Sequence, residues 1–218
     1  MISEAVYLHY LNAILDGDKK QCLQIVENLL AEKVCIKDLY LNLFQRSMYR
    51  IGQMWEKDRC SITDEHIATK ITESMIEITS AHHCCKNYTG KVAVITCVDK
   101  EFHELGARMV SGYFDARGWD AIFVGSNSPQ SDLLQLINER RPDIVGISNN
   151  FYMNTNRLTK LVDQVKAMIP DQEILIGGQA LASSKCVCFS KYENVHYIAS
   201  LDELDNYLAQ NHAAAENN

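Results

Sequence analysis

Five short runs rich in β-branched residues recur after residue 90: KVAVITC, DAIFVGS, DIVGIS, EILIGG and VHYIAS. Segments of helical period lie between them. Parallel strands need a long crossover to bring the chain back to the same end of the sheet, and a helix supplies it, so this alternation predicts a parallel sheet. Five such strands point to the doubly wound order 2-1-3-4-5, whose ligand crevice lies at the carboxyl ends of strands one and three. His103, in CVDKEFHELG, falls in the first of those loops and Ser148 in the second. The doublet Gly177-Gly178 ends strand four beside them, where missing side chains let a ligand approach the backbone.

From residue 2 to about residue 86 the period is helical throughout. Leu8, Leu11 and Leu15 begin one apolar face, and Cys22, Ile25, Val26, Leu29 and Leu30 make a second. A third helix is expected through Leu41, Phe44, Met48 and Ile51, and a fourth through Ile67, Ile71, Met75 and Ile78. Ser61 and Asp64 fit the capping box that satisfies exposed backbone donors at the start of the fourth. Short connections imply an antiparallel four-helix bundle. The expected organisation is therefore α/β, with a bundle over residues 1–88 and a flavodoxin-like doubly wound five-stranded sheet over 89–218.

Charge and composition exclude several functions. The net charge is -7 and the lysines and arginines are scattered, so no basic stripe follows a phosphate backbone and direct nucleic-acid binding is not expected. No apolar run approaches the roughly 18 residues of a membrane span, and the start MISEAVYLHYLNAIL lacks the pattern of a signal peptide, so the protein is expected in the cytoplasm. The eight cysteines lie mostly inside periodic segments and read as reduced and structural. Cys84 and Cys85 follow His82 and His83, and Cys186 and Cys188 form a C-x-C. Neither has the C-x2-C spacing of a zinc site, and adjacent ligands on a helix diverge.

The crevice residues bear on its occupant. The loop VDKEFHELG has no hydroxyl and glycine cradle for a flavin phosphate. A phospho-acceptor domain needs an aspartate ending strand three, where this chain has Ser148. The spacing Glu101-x-His103-x-x-Gly106 resembles the D/E-x-H-x-x-G motif of cobalamin-binding domains. The resemblance implies that His103 replaces the corrinoid's own base as the lower ligand of cobalt. Imidazole suits cobalt, and a nearby acid fixes its tautomer. Ser148 matches the serine of that family's S-x-L element and Gly177-Gly178 its G-G, which implies that they line the slot for the nucleotide tail. Asn150 stands where the element has leucine.

In MWEKDRCSITDEH, Trp55 is followed by nine residues and then Glu65-His66. Singly, each has an ordinary structural role as a core ring, a helix-start acid and a solvated imidazole. Together they are similar to the W-x9-E-H signature in the helical cap of light-responsive cobalamin-dependent transcriptional regulators. That resemblance implies a cap above the corrinoid, with Trp55, Glu65 and His66 shaping a pocket for an adenosyl group. Glu65, Ala68, Thr69 and Thr72 share a small, polar helix side, read as the wall of that pocket. Glu56 stands where the best-studied sensors have a histidine that captures cobalt, and this chain begins directly with the bundle.

The function expected from these residues is a non-enzymatic sensor or regulatory module that binds cobalamin. Adenosylcobalamin is favoured over the methyl- and hydroxocobalamin forms. It would act through a regulatory or signalling protein partner, with homo-oligomer formation left open. The alternative is a corrinoid methyl-carrier protein of a methyltransferase system. A mutase subunit is disfavoured because no substrate-binding barrel is present.

Overall fold

The computed structural model describes residues 1–85, 87–182 and 189–212. It separates into two compact units, one of Met1–Cys85 with Asp115–Arg117 and one of Lys86–Phe114 with Gly118–Asn218. Among the described residues, no helix is long and apolar enough to cross a membrane.

In the first unit, α1 (Glu4–Leu15) and α2 (Lys19–Ala31) each start at a side-chain cap, Ser3 and Asp18. The third helical stretch runs through α3 (Ile36–Asp38), a π-helical segment (Leu39–Gln45) and α4 (Arg46–Trp55). The junction residues Leu39 and Arg46 keep right-handed helical dihedrals, so the chain passes through the π segment without leaving the helix. Helix α5 (Ile62–His83) starts at the expected capping box: Ser61 Oγ accepts from Asp64 N at 3.1 Å, and the Asp64 carboxylate accepts from Ser61 N at 2.8 Å.

The buried faces of this unit differ in part from the hydropathy pattern. The face of α2 is as expected, with Cys22, Ile25, Val26, Leu29 and Leu30 all buried. On α1, Leu8 is exposed and Leu15 half-buried, while Tyr7, Tyr10 and Ile14 enter the core. On α5, Ile71 and Met75 are buried as expected, but Ile67 is exposed and Ile78 half-buried, and of the strip read as a pocket wall Ala68 and Thr72 are buried. Size explains the inversion. Small side chains let helices approach closely, and a threonine hydroxyl can be satisfied inside the bundle, as Thr72 Oγ1 is by Met48 Sδ at 3.3 Å. Of that strip, Glu65 and Thr69 stay partly accessible.

The second unit is a parallel sheet of β1 (Val92–Cys97), β2 (Asp120–Gly125), β3 (Ile144–Ser148), β4 (Glu173–Gly177) and β5 (Val195–Tyr197). Its order is β2-β1-β3-β4-β5, as the alternation predicts. Helices α7 (Gln130–Arg140) and α8 (Thr155–Met168) cover one face. There Leu133, Ile137, Leu158 and Val162 pack with Val94, Val145, Ile147, Ile174 and Ile176. Helices α6 (Leu105–Asp115) and α9 (Leu201–Asn211) are joined by Tyr113 Oη donating to Asp205 at 2.9 Å. On β3, Gly146 pairs with Ile95 of β1, and an added Cβ there would lie 2.6 Å from Ile95 Cδ1. The reversal of strand order between β1 and β3 opens the crevice at their carboxyl ends.

Candidate functional site

The register aligns Cys97 with Ser148 and Ser148 with Gly177. Paired residues of a parallel sheet lie on the same face, so two small side chains and a glycine form a row where β1, β3 and β4 end. Ser148 closes β3 itself instead of lying in the loop beyond it. Cys97 joins this row without having been singled out by any motif. Burial pushes its thiol up to about 12, with Glu104 and Glu101 adding to the effect, so it is a small apolar filler and not a nucleophile.

The loop after β1 folds back through Lys100, a non-glycine residue in the left-handed region (φ 62), and carries Glu101 inward. Glu101 is fully buried. Its Oε1 accepts from His103 N at 3.0 Å and lies 2.9 Å from His103 Nδ1, and its Oε2 accepts from Asn150 N at 2.9 Å and Phe151 N at 2.8 Å. Burial pushes this carboxyl up, but the bonds from His103, Phe151 and Asn150 outweigh it and hold the pKa down at about 2. Glu101 therefore stays ionised and anchors the β1 loop to the β3 loop.

This anion orients the imidazole. A carboxylate can only accept, so Nδ1 carries the hydrogen and the lone pair falls on Nε2, the nitrogen a metal takes. The His103 side chain is 62% exposed and stacks on Phe151, with ring centroids 5.5 Å apart and planes 17° from parallel. In the segments after β1 and β3, Phe102, Phe151, Tyr152 and Met153 are all exposed, a concentration of large apolar side chains with the character of a binding surface. No motif drew attention to these residues. The available signal was the run NNFYMN, which sets large apolar residues straight after a strand without periodicity.

The glycines divide by cause. At Gly178, φ is 108° and an added Cβ would lie 2.2 Å from Asn149 O. The chain's own backbone therefore demands glycine there, while at Gly177 the nearest atom is Ile198 O at 3.3 Å. At Gly106, the second residue of α6, an added Cβ would meet nothing within 4 Å. Gly178→Ala is expected to destabilise the sheet unit by at least about 2 kcal/mol. Gly106→Ala should leave stability unchanged or raise it by up to about 1 kcal/mol, yet weaken retention of a ligand lying against the start of α6. Thermal melts and ligand titration of both variants check the pair.

In the helical unit, Glu65 accepts from Thr69 Oγ1 at 2.9 Å and its other oxygen lies 2.8 Å from His66 Nδ1. The sequence-selected Glu65 and His66 are thus one hydrogen-bonded group. Trp55 is the last residue of α4, and the residue is 47% exposed. Among Cys84, Cys85 and the neighbouring histidines, His83 uses both ring nitrogens on the carbonyls of Thr79 and Val34. No group of three or more His, Cys, Asp or Glu side chains suited to a metal comes together among the described residues. Cys186 and Cys188 lie outside the described residues.

Two protein-family models match the chain, both described as B12 binding domain, one over residues 91–196 and one over residues 8–79. The HTH-type transcriptional repressor CarH of Myxococcus xanthus is 22% identical over 139 residues, which are 63% of this chain and 46% of the relative. The match thus spans less than half of that relative's length. The solved structure of the Methanosarcina barkeri monomethylamine corrinoid protein has a TM-score of 0.79 at 13% identity, covering 96% of this chain and 99% of that one. A cobalamin-binding protein from Desulfitobacterium hafniense DCB-2 gives a TM-score of 0.48 at 18% identity, over 92% and 96% of the two chains. The likeness to the monomethylamine corrinoid protein is one of fold. Both family models agree, and the chain belongs to the B12-binding-domain proteins.

The residues of the crevice fit a corrinoid. An imidazole backed by an ionised carboxylate suits cobalt, and the exposed apolar side chains after β1 and β3, Phe151 stacked on His103 among them, suit the rim of a macrocycle. Gly106 has space before it that no atom of the chain fills within 4 Å of an added Cβ.

Proposed function

We propose that the chain is a non-enzymatic sensor or regulatory module that holds adenosylcobalamin and acts through a protein partner. In this reading His103 binds cobalt through Nε2, and Glu101 fixes the ring. Gly106 admits the ligand at the start of α6, and Ser148, Gly177 and Gly178 line the slot for the nucleotide tail. Trp55 and the Glu65–His66 group contribute the environment of the upper ligand. A bound corrinoid supplies a cobalt whose upper bond is broken by light or by reductive chemistry.

The observation that carries the sensor reading is the state of the W-x9-E-H residues. Trp55 is half-exposed at a helix end, and the Glu65 carboxylate is held by Thr69 and His66. A tryptophan kept only for packing would be buried, and an acid kept only for the helix dipole needs no such partners. Such a group is suited to a ribose or adenine edge.

The second reading, a corrinoid methyl carrier, draws on the likeness in fold to the monomethylamine corrinoid protein. The two readings separate in one experiment: load the chain with adenosyl-, methyl- and hydroxocobalamin, then record absorption spectra and molecular size in the dark and after green light. The sensor reading expects preference for the adenosyl form, a light-dependent change in size or partner binding, and loss of that preference in Trp55→Ala. Methyl transfer to a thiol or pterin acceptor, with no response to light, would replace it with the carrier.

A further inference from the structure

Asn150 is where this chain departs from the S-x-L element. Its main-chain N–H donates to Glu101 Oε2 at 2.9 Å. Its Nδ2 donates to the His103 carbonyl at 2.8 Å and reaches Ser148 Oγ at 3.4 Å, and its Oδ1 accepts from Gln179 N at 3.1 Å. One residue therefore binds the loop after β1, the end of β3 and the turn after β4. Leucine at this position could make none of the three side-chain bonds.

We infer that Asn150 is a positioning residue that clamps the His103 loop to the Gly177–Gly178 turn, so that the two ends of the corrinoid site move as one. The inference rests on the reading that His103 and Gly177–Gly178 serve one ligand. Its physical basis is the division of labour in a carboxamide. The NH2 group holds the carbonyl of the residue that presents the imidazole, while the oxygen holds the amide that follows the glycine pair. Glu101 fixes which nitrogen of the ring carries the hydrogen, and Asn150 fixes where the peptide bearing that ring stands. Metal ligands held by such outer partners typically lose 10- to 100-fold in affinity when the partner is removed.

The full-length protein tests this with two variants and two readouts. In Asn150→Leu without cofactor, amide hydrogen exchange at Gln179 should accelerate by about 10-fold or more. Hydroxocobalamin should dissociate about 10-fold faster than from wild type. Asn150→Asp keeps the acceptor and loses the donor. It should therefore retain protection at Gln179 while releasing hydroxocobalamin as fast as Asn150→Leu does. Unchanged exchange and unchanged dissociation in Asn150→Leu would overturn the clamp, as would wild-type dissociation in Asn150→Asp. Failure of the wild type to retain hydroxocobalamin would instead remove the reading of the site, and exchange at Gln179 would then decide the clamp alone.

Discussion

Glu101→Gln is expected to lower the stability of the sheet unit by about 3 kcal/mol at neutral pH. The wild-type carboxyl is held at about 2 against an ordinary value of 4.5. A group whose folded pKa is depressed stabilises the fold fully above the unfolded value, and the contribution disappears as pH falls towards the folded one. Glutamine has no such dependence. Urea unfolding of the unliganded proteins, followed by the buried Trp119 in a Trp55→Phe background, should show a gap at neutral pH that closes as pH falls from about 4.5 towards about 2. A gap independent of pH would mean that shape, not charge, accounts for the loss. The same variant has a second consequence at the ring. In either orientation a glutamine NH2 faces backbone N–H groups, that of His103 or those of Asn150 and Phe151. Turned towards His103 it also makes Nδ1 an acceptor and moves the hydrogen to Nε2, so Glu101→Gln should weaken ligation although His103 is intact.

His103→Ala should cost the fold less than Glu101→Gln does. The side chain is 62% exposed and rests on Phe151, but it also bonds the buried Glu101 carboxylate, which keeps its three backbone donors, so removing the imidazole is expected to lower stability by about 1–2 kcal/mol. Affinity for cobalamin should fall by about 100-fold or more, and the absorption spectrum of what remains bound should differ from that of wild type. Equilibrium dialysis with absorption spectra measures both. Equal affinity with an identical spectrum would remove His103 as a ligand. Loss of binding accompanied by a large loss of stability would make it a structural residue.

The sheet and its crevice were legible because parallel crossovers leave a simple trace. Short β-branched runs separated by helical period fix the strands, and the order β2-β1-β3-β4-β5 follows. That order alone put His103 at the crevice mouth. The bundle faces were less legible, because hydropathy does not report side-chain size: Ala68, Thr72 and Thr79 are buried while Ile67 is exposed. Glycines posed a similar problem. Gly106 and Gly178 look alike in a motif, yet one has open space before it and the other meets Asn149 O at 2.2 Å. Asn150 was visible only as a mismatch, since its role lies in three bonds to residues distant in sequence. The exposed apolar side chains of Phe102, Phe151, Tyr152 and Met153 come from two loops, so no single stretch announced them.

The central claim is that His103 provides the nitrogen below cobalt. The most direct measurement is the electron paramagnetic resonance spectrum of the protein loaded with cob(II)alamin, prepared once with ordinary and once with 15N-labelled histidine. A single axial nitrogen splits each cobalt line according to its nuclear spin. Ligation by His103 predicts that the splitting changes from three lines to two on labelling, and that the change is absent in His103→Ala. A three-line pattern that persists in the labelled protein would place the cofactor's own base on cobalt and contradict the account.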